Sequence, residues 1–279
     1  MDDFNALNKK LFPYAYNILG NIDDCQDVIQ DVLIKFNEKD IDSISNHQAY
    51  LIKSVINQAI NLKKKNDRER QQKITLPEPI VTNRGEDNIE LDEILNYSML
   101  VLLDTLNAKE RAVFLLKEAF DYEHDQIAKI LDIISVENSR QLLTRAKKKL
   151  KSRNPNITTS SAKDRKYLAQ YVETIRRGDI KTLERMLSDE VQVLADAGSR
   201  LQAVAEMTSG IDETVKLMTY IFEYYQKDLE IKIEEINHQL ALLFYSGKTL
   251  INCQVFELNP DGKITRIFSV VDPDKLTKI

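Results

Sequence analysis

The sequence predicts a multidomain protein: two all-α domains, a helical bundle and a helix-turn-helix, followed by a C-terminal α+β cone. Three observations carry this. From residue 4 to about residue 150, apolar residues recur at steps of three and four, the period of amphipathic helices. From residue 229 the pattern changes to four runs rich in β-branched and aromatic residues, broken by Asn, Gly and Pro. Two polar stretches, within 71–90 and 152–162, separate the blocks. The expected boundaries are 1–72 for the bundle, 73–91 for a linker, 92–153 for the helix-turn-helix, 154–162 for a second linker and 163–279 for the cone.

Composition narrows the function. A chain of 279 residues, 43% hydrophobic and 30% charged, has enough apolar surface for several globular domains. Cys25 and Cys253 are its two cysteines; far apart and sharing no motif with His, they argue against a disulfide framework or zinc site. No metal or cofactor is expected, and a reducing cytoplasm fits. The start, MDDFNALNKK, lacks the apolar core of a signal peptide, and no apolar run is long enough to span a bilayer, so no membrane association is expected. The net charge is −5, yet its distribution matters more than the sum. Residues 1–45 hold nine acidic and four basic side chains, residues 46–73 seven basic and two acidic, and residues 139–153 seven basic and none acidic. An acidic protein with two concentrated cationic stretches neutralises few phosphates alone, and binds DNA well only when another protein supplies the remaining contacts.

In chain order, the first helices break near Gly20-Asn21. The next helix, DDCQDVIQDVLIKFNE, buries Val28, Ile29, Val32, Leu33 and Phe36. Asp24, Asp27, Gln30, Asp31 and Lys35 lie outside, either as a solvated face or as a dock for a basic protein. HQAYLIKSVINQAINLKKKNDRER follows, with Lys53, Asn57, Asn61, Lys64 and Arg68 opposite its apolar face. Amides can read base edges, cations can hold phosphates, and Tyr50 could stack on an exposed base. Leu76-Pro77-Glu78-Pro79 must be extended, since each proline bars a helix at the residue before it. It is either a rigid spacer or a short docking peptide. A helix is expected from Asp92 to Asn107.

Between Glu110 and Arg153, Ile127, Ala128, Ile130 and Leu131 form one apolar cluster, and Asp132 to Ser135 break the pattern. Ser135 can cap a second helix, whose Ser139, Leu142, Leu143, Ala146 and Leu150 share a face. Opposite them stand Glu137, Asn138, Arg140, Gln141, Thr144, Arg145 and Lys148, the pattern of a helix placed in a major groove or of an ordinary solvated helix. Tyr167, Tyr171, Val172, Ile175, Leu183 and Leu187 mark a helical hairpin turning at Gly178-Asp179. A strand pair is expected around Ala195–Gly198, an apolar helix from Glu213 to Tyr225, and then four strands turning near Asn237-His238, Gly247-Lys248 and Asn259–Gly262.

Taken together, AYNILGNIDDCQDVIQDVLIKF, AYLIKSVINQAINLKKK and LNAKERAVFLLKEAFDYEHDQIAKIL…SVENSRQLLTRAKKKL resemble, in order and spacing, the two conserved domains of bacterial extracytoplasmic-function (ECF) RNA polymerase sigma factors. The C-terminal domain resembles SnoaL-like (NTF2-like) domains. Leu76-Pro77-Glu78-Pro79, Asp196-Ala197-Gly198-Ser199-Arg200 and Asp272-Pro273-Asp274-Lys275-Leu276 resemble the LPEP, DGGGK and NPDKL motifs of the sigma-factor subgroup with that fusion.

The resemblance implies a sigma factor, not an enzyme, that directs core RNA polymerase to promoters and is regulated in cis by its SnoaL-like domain. The partners would be the β′ clamp and β flap of polymerase, and promoter DNA. Asp24, Asp27, Gln30, Asp31 and Lys35 would meet the clamp. Tyr50, Asn57 and Asn61 would hold −10 bases, with Lys63, Lys64, Lys65 and Arg68 on phosphates. Glu137, Asn138, Arg140, Gln141, Thr144, Arg145 and Lys148 would face the −35 groove. Leu76, Pro77, Glu78 and Pro79 would dock near Asp196, Gly198 and Arg200 and near Asp272, Pro273, Asp274 and Lys275.

Two other readings stay open. One is a ligand-sensing DNA-binding regulator, with Tyr220, Phe222, Tyr224, Tyr225, Phe244 and Tyr245 lining a small-ligand pocket in the cone. The other is a SnoaL-like isomerase or cyclase fused to a DNA-binding module, for which His238, in a predicted turn, is the one histidine of the domain.

Overall fold

The computed structural model describes residues 2–38, 44, 46–69, 75–82, 89–151, 162–198 and 208–279. Within it the chain divides into two compact units. The first comprises Met1–Gln72, Gly85–Leu95 and Met99–Asn154; the second comprises Lys73–Arg84, Asn96–Ser98 and Pro155–Ile279. Both helical blocks therefore share one unit, while part of the first linker belongs with the C-terminal domain. Among the described residues no helix is long and apolar enough to cross a membrane.

The first unit opens with α1 (Asp2–Leu19), α2 (Ile22–Asn37) and α3 (His47–Glu69). Gly20, at φ 71°, ends α1, and Asn21 caps α2 by accepting from the Asp24 amide. Leu11, Ala15, Ile18, Val28, Ile29, Val32, Leu51, Val55, Ile56 and Ala59 form the shared core. The helix expected from Asp92 to Asn107 is broken. Ile89–Glu93 is a 3-10 turn, and α4 begins only at Tyr97 and ends at Leu103. The buried Asn17 fixes this break: its amide donates to the Glu93 carbonyl at 2.8 Å and accepts from the Leu95 N–H at 3.0 Å. α5 (Ala108–Phe114) starts at a capping box made by Asn107 and Glu110, and continues as a π turn over Leu115–Ala119. α6 (His124–Ile130) and α7 (Val136–Lys151) complete the unit. As expected, Ser135 accepts from the Asn138 amide at the start of α7.

In the second unit, α8 (Ala162–Arg176) and α9 (Ile180–Met186) form the expected hairpin, with Asp179 capping α9. Thr182 holds the Asp179 carboxyl below the usual range through its hydroxyl and amide. The strands are β1 (Leu187–Asp196), β2 (Thr208–Ser209), β3 (Glu230–Ile236), β4 (Gln239–Ser246), β5 (Thr249–Leu258) and β6 (Ile264–Val270). They lie in one sheet in the order β2-β1-β6-β5-β4-β3. β3 to β6 make the expected antiparallel meander. β1 instead runs parallel to β6, and its antiparallel partner β2 lies farther along than Gly198. Asn237 and His238, with φ of 46° and 60°, form the tight turn between β3 and β4. α10 (Ile211–Ile221) extends into a π turn over Phe222–Gln226, and α11 (Pro273–Leu276) closes the chain. The cone interior is filled: Leu168, Tyr171, Met218, Phe222, Leu242, Phe244 and Phe256 belong to one buried cluster.

Replacing Asn17 by Ala strands two backbone groups of the 93–95 turn. A loss of about 2 kcal/mol is expected, seen as a lower urea midpoint in circular dichroism of the full chain.

Candidate nucleic-acid interface and linker dock

α7 presents two faces. Ser139, Leu143, Ala146 and Leu150 are buried, with the Ser139 hydroxyl 2.9 Å from His124 Nδ1. Glu137, Arg140, Gln141, Thr144, Arg145 and Lys148 are exposed and Asn138 is half-buried. Arg140 and Glu137 lie 3.5 Å apart at the start of this face, and surface pairs of that kind add little stability. Lys147 and Lys149, also on α7, are ion-paired with Glu118 and Glu110.

On α3 the candidates divide. Asn61, Lys65 and Arg68 are exposed, and Tyr50 and Lys64 half-buried. Lys63, expected on a phosphate, is 3% exposed and bonded to Asp104 at 2.8 Å and to Asp67 at 3.1 Å. The helix repeat explains this: Lys63 follows Ile56, Ala59 and Ile60 onto the buried face, while Leu62 turns half outward. Asp104 also approaches the buried Arg111, whose Nε donates to the Asn17 carbonyl at 2.9 Å. Asn57 donates to the Lys53 carbonyl at 3.0 Å and to the Ile130 carbonyl at 2.8 Å.

Tyr50, Phe36 and His47 form an aromatic group, with ring centroids 5.9 Å and 5.4 Å from that of Phe36. Phe36 and His47 line a cleft of 590 Å³ with Leu7, Lys10, Tyr14 and Glu93. Burial, before its Tyr122 hydroxyl contact, pushes the Tyr14 phenol far above its ordinary range. Periodicity singled out Tyr50 but not this cleft, whose walls come from distant helices.

On α2, Asp27, Gln30, Asp31 and Lys35 are exposed and Asp24 is half-buried. Gln58 donates to Asp31 and Asn66 to Asp24. Ile34, 48% exposed, stands beside these polar groups; it was absent from the sequence-derived set because its helix position reads as the edge of the core stripe.

In the second unit, the structure brings three distant segments together. Asp196, 4% exposed, accepts from the Leu76 amide at 2.7 Å and from Lys275 Nζ at 2.7 Å through one carboxylate oxygen. Its other oxygen accepts from the Gly198 amide at 3.0 Å. Lys275 also donates to the Leu76 carbonyl. Asp272 caps α11 through the Asp274 amide. A Cβ on Gly198, whose φ is 67°, would lie 2.6 Å from the Asp272 carboxyl. Pro273 occupies the first turn of α11, where its missing N–H costs nothing. The buried Glu78 is 3.1 Å from Lys278, and the Pro77 carbonyl accepts from Tyr97 Oη at 2.7 Å. Pro79 is buried, and beyond it Ile80 exchanges hydrogen bonds with Asn237. Arg200 lies outside the described residues.

The expected pocket aromatics do not share one pocket; Tyr224 and Tyr225 gather instead on Tyr220, with ring centroids 4.7 Å and 6.1 Å from its own. Phe222 and Phe244 are in the filled core, Tyr245 is half-buried beneath Lys232, and Tyr220, Tyr224 and Tyr225 are exposed. His238 sits in the β3–β4 turn, its Nδ1 3.8 Å from Glu235.

A two-faced basic helix thus follows an amphipathic helix bearing amides and cations, and an α+β domain with a packed interior comes after both. Residues 98–150 match the Sigma-70, region 4 family. The chain is similar to the ECF RNA polymerase sigma factor SigJ of Mycobacterium tuberculosis, at 22% identity over 99% of this chain and 93% of that protein. It is also similar to the probable ECF RNA polymerase sigma factor SigI of that species, at 23% identity over 95% and 91%. The crystal structure of Mycobacterium tuberculosis SigJ shares the fold, with a TM-score of 0.76, 20% identity and coverage of 99% and 98%. Residues 98–150 thus carry the sequence pattern of sigma-70 region 4, and the chain as a whole shares the fold of a solved ECF sigma factor.

Asp196→Ala would leave the Lys275 ammonium and the Leu76 amide without their shared acceptor. A loss of about 3 kcal/mol is expected, read as a lower urea midpoint for the full chain. Asp196→Asn, which keeps an acceptor oxygen, should lose less. Gly198→Ala, strained at positive φ and pressed against Asp272, should lose at least about 1 kcal/mol in the same assay.

Proposed function

We propose that the chain carries core RNA polymerase to two-part promoters and that its C-terminal domain governs this in cis. The exposed α2 face, Asp27, Gln30, Asp31 and Lys35 with Asp24, docks on the β′ clamp. Asn57, Asn61 and Tyr50 hold −10 bases of the separated strand, with Lys64, Lys65 and Arg68 on phosphates. The second helical module meets the β flap, while Arg140, Gln141, Thr144, Arg145 and Lys148, with Glu137 and Asn138, face the −35 groove. The observation that carries this reading is α7: its apolar residues are buried, and opposite them stands a face of hydrogen-bonding and cationic side chains within the span matched to region 4.

Regulation follows from the linker dock. Residues 75–82 join the two helical modules along the chain yet bond to the C-terminal domain through Leu76, Glu78 and Ile80. Fixing that linker limits the spacing the modules can adopt, and a promoter demands one spacing. Leu76, Pro77, Glu78 and Pro79, with Asp196, Gly198, Arg200, Asp272, Pro273, Asp274 and Lys275, form the regulatory set.

Full-length chain added to core polymerase should give initiation at discrete sites on a promoter library, where core alone gives none. Start sites identical with and without the chain would refute the reading. Arg145→Ala should weaken promoter binding by the holoenzyme and lower the slope of log affinity against log salt by about 1 if it contacts a phosphate. Replacing Asp272–Lys275 by Ala should change promoter activity without changing the −35 sequence preference.

A further inference from the structure

The exposed tyrosines of the C-terminal unit are drawn together by the helix that carries them. In an α-helix residue i+4 lies beside residue i, whereas a π turn, bonded from i to i+5, brings residue i+5 there as well. α10 passes into such a turn at Phe222, where the Lys227 amide donates to the Phe222 carbonyl at 2.8 Å. Tyr224 and Tyr225 therefore both face Tyr220, with ring centroids 4.7 Å and 6.1 Å from its own. The Tyr220 and Tyr224 rings are tilted by 39°, while Tyr220 and Tyr225 meet edge-on at 66°. Phe222 and Gln226 on the same turn are buried, so the turn reaches the core without the three tyrosines. These are 52%, 69% and 66% exposed. Three large rings massed in water gain little from burial, so packing does not account for them.

We propose that Tyr220, Tyr224 and Tyr225 form an oxidation site, where hydrogen peroxide acting through a haem peroxidase couples Tyr220 to Tyr224 within one chain. Each of the two phenols gives one electron and one proton to the oxidant, leaving a phenoxyl radical whose unpaired electron is shared with the ring carbons ortho to the oxygen. Two ortho carbons join in a new C–C bond, and the hydrogen on each moves to its oxygen, restoring both phenols. One peroxide takes up the two electrons and two protons, its O–O bond breaks, and two waters leave. The chain thus loses two hydrogens and gains a bridge between the last turn of α10 and the π turn. Holding the two rings 4.7 Å apart supplies a proximity that coupling between two chains lacks. Hydrogen bonding with Tyr225 raises the Tyr220 pKa above its ordinary range, so this phenol is neutral at neutral pH and its proton leaves with the electron. Tyr14 and Tyr122 also meet, with hydroxyls 3.4 Å apart, but both are half-buried, and an oxidant reaches the exposed trio first.

The test treats the full-length chain, in dilute solution, with a haem peroxidase and hydrogen peroxide, and then digests it with trypsin. Cleavage after Lys216 and Lys227 releases residues 217–227, which hold all three tyrosines. Mass spectrometry should find this peptide lighter by two hydrogens, with backbone fragments missing between Tyr220 and Tyr224, and dityrosine fluorescence in the same fraction. Tyr220→Phe should abolish the product. Tyr224→Phe should lower its yield severalfold, leaving the slower coupling of Tyr220 to Tyr225, and Tyr225→Phe should keep most of it. The three side chains are exposed, so the variants should fold as the wild type does, which circular dichroism checks. An unaltered 217–227 peptide while other tyrosines react, dityrosine formed only between chains, or equal yields from Tyr224→Phe and wild type would each overturn the inference. The site does not depend on promoter recognition, and its failure leaves the proposed function untouched.

Discussion

One buried carboxylate organises the C-terminal unit. Asp196 ends β1, and its two oxygens take a linker amide, a lysine ammonium and the Gly198 amide. A carboxylate with 4% exposure is costly unless charged donors meet it, and Lys275 supplies the opposite charge. Because Lys275 also donates to the Leu76 carbonyl, the linker is bonded on both its donor and acceptor sides. The adjacent Asp272 needs the space that only a glycine at 198 leaves. Three sequence segments that look unrelated in composition are thus parts of one hydrogen-bonded site. The linker's prolines suit it, since an extended segment entering with few conformations to lose docks at a lower entropic cost.

Charge is apportioned differently in the helical unit. Lys63 and Arg111 are withdrawn into buried contacts with Asp104, and Lys149 meets Glu110. What remains exposed on α7 is a narrower set, including Arg140, Arg145 and Lys148. A protein with net charge −5 that commits some of its cations internally has a small electrostatic footprint for DNA. That agrees with the proposed function, in which polymerase supplies further contacts to the DNA.

Much of this was legible in the residues. The α7 faces followed from steps of three and four, since Ser139, Leu143, Ala146 and Leu150 all point inward. The hairpin turns of the sheet followed from Asn237-His238 and Gly247-Lys248. What was not legible depends on partners distant in sequence. Lys63 looked like part of a surface lysine run; the approach of Asp104, beside the nearby Asp67, makes its burial tolerable. The helix expected through residue 95 fails because Asn17, in α1, captures its backbone. Aromatic spacing could not tell Phe222, in the core, from Tyr224 and Tyr225, outside it, because the π turn after α10 shifts their phase.

The central claim is that the linker between the helical modules is held by the C-terminal domain through Asp196. Hydrogen exchange at the Leu76 and Ile80 amides of the full-length chain tests it most directly. Both amides donate to side chains of the domain, so exchange should be slowed by several orders of magnitude in the wild type and become fast at Leu76 in Asp196→Ala. Exchange of Leu76 at the rate of an unstructured peptide in the wild-type chain would contradict the account.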